Sequence, residues 1–346
     1  MQDSLFPDAD PPPEPPRGKP RKRSSAVEPA PPSAALVDLA AALPAQLRFG
    51  TSSWFFPGWD GLVWDGEYEQ AKLSKEGLSA YARHPLLRTV SLDRAFYRPL
   101  TSSQYAAYAA QVPDDFRFVV KAPSLIADAS LRGDDGRSVS HNALFLDPDT
   151  TLREFVRPAL EGLGHKLGAL VFQLSPLPGL LLATIDRQIA KLDALLGALP
   201  DLQLITPDAV VAVEVRNAEW LTPAFTTTLK RHRATYCLGL HAKMPPIAEQ
   251  LPILRALWPS PLVCRWNLHM KHGAFGYESA RDAYAPFNRL VDPDPETRQQ
   301  LARVIAGTVA NGVLAYVTLN NKAEGSAPLS IAALAQAVLD LRRKSP

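Results

Sequence analysis

The chain has 346 residues, 46% hydrophobic and 21% charged, with a formal net charge of +2. That is an ordinary globular composition with apolar material for a sizeable core, on a length that fits two domains or one closed α/β barrel. The small net charge gives no global signal for nucleic acid or a membrane, and no apolar run is long enough to span a bilayer.

The amino terminus lacks the apolar segment of a secretory signal, so the expected compartment is cytoplasmic, with Cys237 and Cys264 reduced. The first 33 residues hold ten prolines and the basic run "RGKPRKRSS" (17–25). So little apolar surface cannot offset the entropy of ordering, and residues 1–45 read as a flexible Pro-rich tail ahead of one domain over 46–346. The basic run is a solvated charged segment or a contact for nucleic acid or another polyanion.

Beyond the tail, β-rich runs at 47–53, 87–93, 116–122, 167–174, 210–216, 234–241, 262–269 and 314–320 alternate with helical patterns at 75–83, 102–111, 150–161, 184–198, 221–232, 278–290, 296–311 and 329–343. In the last helix Ile331, Leu334, Val338 and Leu341 recur at helical spacing. Strands alternating with helices pair in parallel through crossovers, and about eight such units close a (β/α)₈ TIM barrel. The competing doubly wound sheet carries a glycine-rich turn after its first strand. Here that position reads "GTSSWFFPGW" (50–59), which is no G-x-G-x-x-G.

A barrel places its site at the carboxyl ends of its strands, so the last inward residue of each strand is the one to inspect. Alternation in "VVAVEVRNAEWL" (210–221) puts Ala212, Glu214 and Arg216 on one face and Val211, Val213 and Val215 on the other. The same parity sends Gly50, Ser52, Ser91, Asp93, Lys121, Gln173, His241, Arg265, Asn267 and His269 inward, with Trp54 following the first strand. Asn320 and Asn321 end the eighth strand with their facing undetermined. Polar side chains from most of the strands are thus expected at one mouth.

Each has a structural alternative. Lys121 is a general base or Schiff-base amine if desolvation lowers its pKa, or the ion-pair partner of Glu214. Glu214 is a general acid or base, or half of a structural pair. Arg216 and Arg265 clamp an anion, or neutralise Glu214 and Asp93. His241 and His269 bind substrate or simply satisfy local hydrogen bonds. Trp54, Trp59, Tyr97 and Trp220 form stacking walls or pack over the rim, and Gln173 orients substrate or fills the barrel.

"LNNKAEGSAPLS" (319–330), before the last helix, offers Gly325, Ser326 and nearby amides to an anion, though such residues also make ordinary turns. Four metal-ligating side chains without H-x-H or H-E-x-x-H leave room for a single ion at most, so no metal ligand is assigned. Cys237 faces inward and Cys264 outward, which excludes a disulfide between them. No G-x-S-x-G is present, which argues against a serine hydrolase, and no motif names a cofactor.

Taken together, "GTSSWFFPGW" (50–59), "FYRPL" (96–100), "PDDFRFVVKAP" (113–123), "LGALVFQLSPLP" (167–178), "VAVEVRNAEW" (211–220) and "NNKAEGSAP" (320–328) resemble the DUF72 (YecE-like) family over about 46–340. The resemblance implies a TIM barrel distantly similar to sugar isomerases and barrel endonucleases, without an established activity. It carries over to Gly50, Thr51, Ser52, Trp54, Phe96, Tyr97, Arg98, Lys121, Gln173, Glu214, Arg216, Trp220, Asn320 and Asn321. Two departures stand out. "VSLDRAFY" has Ser91 and Asp93 where members commonly read glutamate and asparagine, and "KAPSLIADAS" lacks the usual Thr-His. A catalytic use of that glutamate or histidine is lost here, moved to Asp93 or His269, or replaced by different chemistry.

The expectation is an enzyme of lyase, isomerase or hydrolase type that takes a small anionic or sugar-like substrate. Lys121, Glu214 and Asp93 are its catalytic candidates. Ser52, Trp54, Tyr97, Gln173, Arg216, Trp220, His241, Arg265, His269, Asn320 and Asn321 are its binding candidates. The alternatives are nucleic-acid binding or processing and a non-catalytic ligand-binding barrel.

Overall fold

Strand alternation and crossover spacing produce the expected architecture in the computed structural model, which describes residues 26–132 and 138–344. Eight parallel strands close a barrel: β1 (Leu47–Thr51), β2 (Leu87–Leu92), β3 (Arg117–Lys121), β4 (Leu167–Gln173), β5 (Val210–Glu214), β6 (Thr235–Leu240), β7 (Leu262–Trp266) and β8 (Ala315–Leu319). Each pairs with its neighbours in sequence, and β8 closes on β1 with Leu47 opposite Ala315. Helices surround the barrel, among them Ile185–Ala198, Pro295–Ala310 and Ala327–Lys344. Among the described residues no helix is long and apolar enough to cross a membrane.

Parity holds throughout. The outward residues Val90, Leu92, Phe118, Val120, Leu170, Phe172, Val213, Leu238, Cys264 and Val317 join the large core beneath the helices. Inward, Val119, Ala169, Val171, Val210, Ala212, Cys237, Val263 and Tyr316 form a separate apolar plug. Below the plug, Arg117 donates to Asp208 through Nε at 3.2 Å and Nη2 at 3.0 Å, with Arg48 3.8 Å away. Asp208 is partly exposed, so Asp208→Asn is expected to lower stability by only about 1 kcal/mol in urea denaturation. The apolar plug separates this amino-end cluster from the polar residues at the carboxyl end of the barrel. Gly50 lets β1 and β2 approach: a Cβ there would lie 2.0 Å from the Thr89 carbonyl oxygen.

Three expectations change. The basic run and residues 1–25 lie outside the described residues, but the tail boundary near 45 is too late. Val27 is buried, Ala30 N donates to Val63 O at 2.9 Å, and Ser33 caps a helix over Ala34–Ala42 whose Leu36, Leu39 and Ala40 pack on the core. Proline is compatible with that helix because all of its prolines precede its first turn. A helix over Ile247–Ala256 links β6 to β7 although Pro252 interrupts its pattern. The helix expected at 278–290 ends at Tyr284, because Pro286 has no N–H to continue it.

Candidate functional site

The last inward residues meet at the carboxyl end of the barrel. Register aligns them: Gln173 lies beside Glu214, while Gly239 and Thr318 flank Arg265. The missing side chain at Gly239 leaves room for the carboxylate, since a Cβ there would sit 3.3 Å from Glu214 Cγ.

Glu214 is fully buried and saturated. Arg216 Nη2 lies 2.6 Å from Oε1, Arg265 Nη1 donates to Oε2 at 2.8 Å, and Asn267 Nδ2 reaches Oε1 at 3.4 Å. Burial alone would raise the Glu214 carboxyl, but Arg216 and Arg265 outweigh it and hold the group below the usual glutamate range. The other fork of Arg265 donates from Nη2 to both oxygens of Asp93 at 2.8 Å, and Ser91 Oγ donates to Asp93 Oδ1 at 2.6 Å. Gln173 Oε1 accepts from Arg265 Nη1 at 3.1 Å and Arg216 Nη2 at 3.0 Å. Residues from four strands or strand ends therefore form one network centred on Arg265. Arg216 Nη1 is buried without a partner in it.

Lys121 stands apart. Its side chain ends β3, only 8% exposed, with Nζ 3.5 Å from the centre of the Phe96 ring. Among the described residues no carboxylate comes within 4.0 Å of it, so the alternative of a Lys121–Glu214 ion pair is not realised. The arginines have taken Glu214 instead, because their planar forks reach two acceptors each. Burial pushes the Lys121 amine down to about 7, with Asp93 opposing the shift and Arg265 adding to it. The short helix Arg94–Tyr97, which follows Asp93, is what carries Phe96 over the amine.

On the β8–β1–β2 side lies a cavity of about 580 Å³. Trp54, Phe55, Tyr97, Tyr108 and Tyr277 give it aromatic walls, and Ser52, Asp93, Asn320 and Lys322 contribute polar groups. Asn320 Oδ1 accepts from Lys322 N at 3.0 Å, fixing the turn after β8, and Asn320 Nδ2 donates to Tyr277 Oη at 3.2 Å. Lys322 is buried with Nζ 4.1 Å from the centre of the Tyr277 ring, and desolvation pushes its amine down to about 8.

A match to the model of "Protein of unknown function DUF72" spans residues 48–345. The chain belongs to the DUF72 family. Among solved structures, a DUF72 family protein from Enterococcus faecalis V583 is 20% identical, with a TM-score of 0.54 over 85% of this chain and 95% of its own. Another, from Thermotoga maritima MSB8, is 18% identical with a TM-score of 0.54, over 86% and 99%. At these identities the likeness shows the fold. No curated protein matches the chain.

In this DUF72 chain the fold brings together Asp93, Lys121, Gln173, Glu214, Arg216 and Arg265, while Ser52, Trp54, Tyr97 and Asn320 line the adjoining cavity. Other candidates lie elsewhere. Trp220 is wholly buried against Phe225, ring centres 5.7 Å apart, and forms no wall of that cavity. Asn321 accepts from Trp59 Nε1 at 3.2 Å and Ala327 N at 2.8 Å, tying the first loop to the last helix. His269 accepts from Lys271 N and lies 4.0 Å from Asp294, outside the network. His241 Nδ1 accepts from Lys243 N at 3.1 Å, and burial, reinforced by Arg216, lowers it to about 4, so the ring is neutral at pH 7. Lys322, in the single helical turn Asn321–Ala323 after β8, and Tyr277, at the start of the helix Tyr277–Tyr284, both lie outside the strands, where parity assigns no face.

Proposed function

We propose that the barrel mouth performs proton transfer on a small anionic molecule, as a lyase or isomerase does, with Lys121 carrying the proton and Arg216 holding the anionic group. The observation that carries this reading is the amine of Lys121, buried beside a polar network with no carboxylate within 4.0 Å among the described residues; burial there pushes it down to about 7. An amine that is about half neutral at pH 7 takes and returns protons efficiently. Arg216 supports it with a buried Nη1 that has no partner. Glu214, closed off by two arginines, serves as the anchor that positions them, and the partly exposed Asp93 is the carboxylate nearer solvent.

Heteronuclear NMR of the lysine side-chain amines tests the central claim. One resonance, absent in Lys121→Arg, should titrate near pH 7 and shift when a bound small anion stabilises the charged form. A Lys121 midpoint near the ordinary value, about 10.4, removes the amine from proton transfer. The saturation of Glu214 and Asp93 by arginines favours a second reading, a barrel that binds a ligand without turnover. Under it, Lys121→Arg retains full ligand affinity and no product forms.

A further inference from the structure

The cavity beside the network shares Ser91 and Asp93 with it and has a chemistry of its own. Its size falls within the range of small-molecule sites. Trp54 meets Phe55 and Tyr108 edge to face, with ring centres 5.7 and 5.5 Å apart, so the wall is a connected aromatic surface rather than scattered rings. Tyr97 continues this surface at the rim, 84% exposed.

The charge of the lining is lopsided. Asp93 is its one carboxylate and is committed to Arg265, whereas Arg94 and Lys322 bring positive charge. Among the described residues no carboxylate lies within 4.0 Å of Lys322 Nζ, although the residue is only 7% exposed. Leaving a buried ammonium without a counterion is costly unless a ligand supplies one. The hydroxyls of Ser52 and Ser53 also line the cavity and are buried without hydrogen-bond partners. They belong to the strand end next to that of Lys322, since Ser52 N donates to Leu319 O at 3.0 Å. Donors and a cation thus share the cavity with its rings: Trp54 directly follows Ser53, and the Tyr277 ring lies against Lys322.

We propose that this cavity binds a flat aromatic molecule bearing a carboxylate or phosphate, with Lys322 receiving the anionic group. The proposal rests on the reading of the mouth as an anion site and narrows what the anion is attached to. The aromatic walls take the ring, stacking or meeting it edge to face, and the serine hydroxyls complete the anion's hydrogen bonds. Arginine substitutes for Lys322 only in charge, because its fork is bulkier.

Calorimetry on the full chain at pH 7 tests this with phenyl phosphate, phenylacetate, inorganic phosphate and benzyl alcohol. Phenyl phosphate or phenylacetate should bind at least about tenfold more tightly than inorganic phosphate and benzyl alcohol, and their ratio tells which anion the site prefers. Lys322→Met should weaken the better probe at least about tenfold and Lys322→Arg far less. Tyr97→Ala, which removes an exposed side chain and leaves the core intact, should weaken it about threefold or more. Wild-type affinity should fall as pH rises through about 8, where Lys322 loses its proton. Equal affinity in Lys322→Met, equal binding of inorganic phosphate, or no binding by any probe overturns the proposal. Lys121→Met separates the two readings. If it alone abolishes binding, the anion sits at Lys121 and this subsite falls while the mouth stands as an anion site. If Lys322→Met alone does so, the subsite stands.

Discussion

Glu214→Gln is expected to destabilise the protein by about 3–5 kcal/mol at pH 7, read as a lowered urea midpoint with little change in slope. The amide keeps the shape of the side chain and removes the one charge that both Arg216 and Arg265 share. Two buried guanidinium groups then face each other with Asp93 as the sole remaining carboxylate in the network. The penalty is mainly that of uncompensated buried charge, so Glu214→Gln combined with Arg216→Gln should recover part of it. Sign follows from the lowered pKa: the stabilising ionisation is complete above the unfolded value of about 4.3 and disappears as pH falls through the folded one. The gap between variant and wild type therefore narrows below about pH 4.

Lys121→Met should act in the opposite direction, stabilising the protein by up to roughly 5 kcal/mol at pH 6. Burial lowers the folded-state pKa to about 7 against an unfolded value of about 10.5, so the unfolded chain binds the proton more tightly. The penalty is fully present below about pH 7 and is relieved as pH rises through the window between the two values. Denaturation curves of variant and wild type should accordingly converge toward pH 10. A methionine that leaves stability unchanged at pH 6 would show that the amine is hydrated in the folded protein. Carrying a residue that lowers stability is the usual signature of a site tuned for function.

These two substitutions change residues whose mutual pairing was one of two alternatives open in the sequence. Alternation along β5 placed Glu214 and Arg216 on one face, and alternation along β3 placed Lys121 inward, both as the structure has them. That arrangement left an ion pair between Lys121 and Glu214 as one alternative and an unpaired Lys121 amine as the other. The folded barrel gives Glu214 to Arg216 and Arg265 instead, leaving Lys121 beneath Phe96. Trp220 shows the same gap. Its place near a strand end suggested a wall of the mouth, but packing against Phe225 closes it off from solvent.

The sequence by itself determined the barrel, its eight strands and the inward facing of Asp93, Lys121, Gln173, Glu214, Arg216 and Arg265, though not of His269, because side-chain alternation within a strand has a period of two and needs no knowledge of distant contacts. Tertiary structure alone decided which charges pair, which amine stays unpaired, that Val27, Leu36, Leu39, Ala40 and Leu43 pack on the core, and that Lys322 and Tyr277 line a cavity wall. Ion pairing and burial depend on distances between strands far apart in the chain. Those distances exist only once β8 has closed on β1.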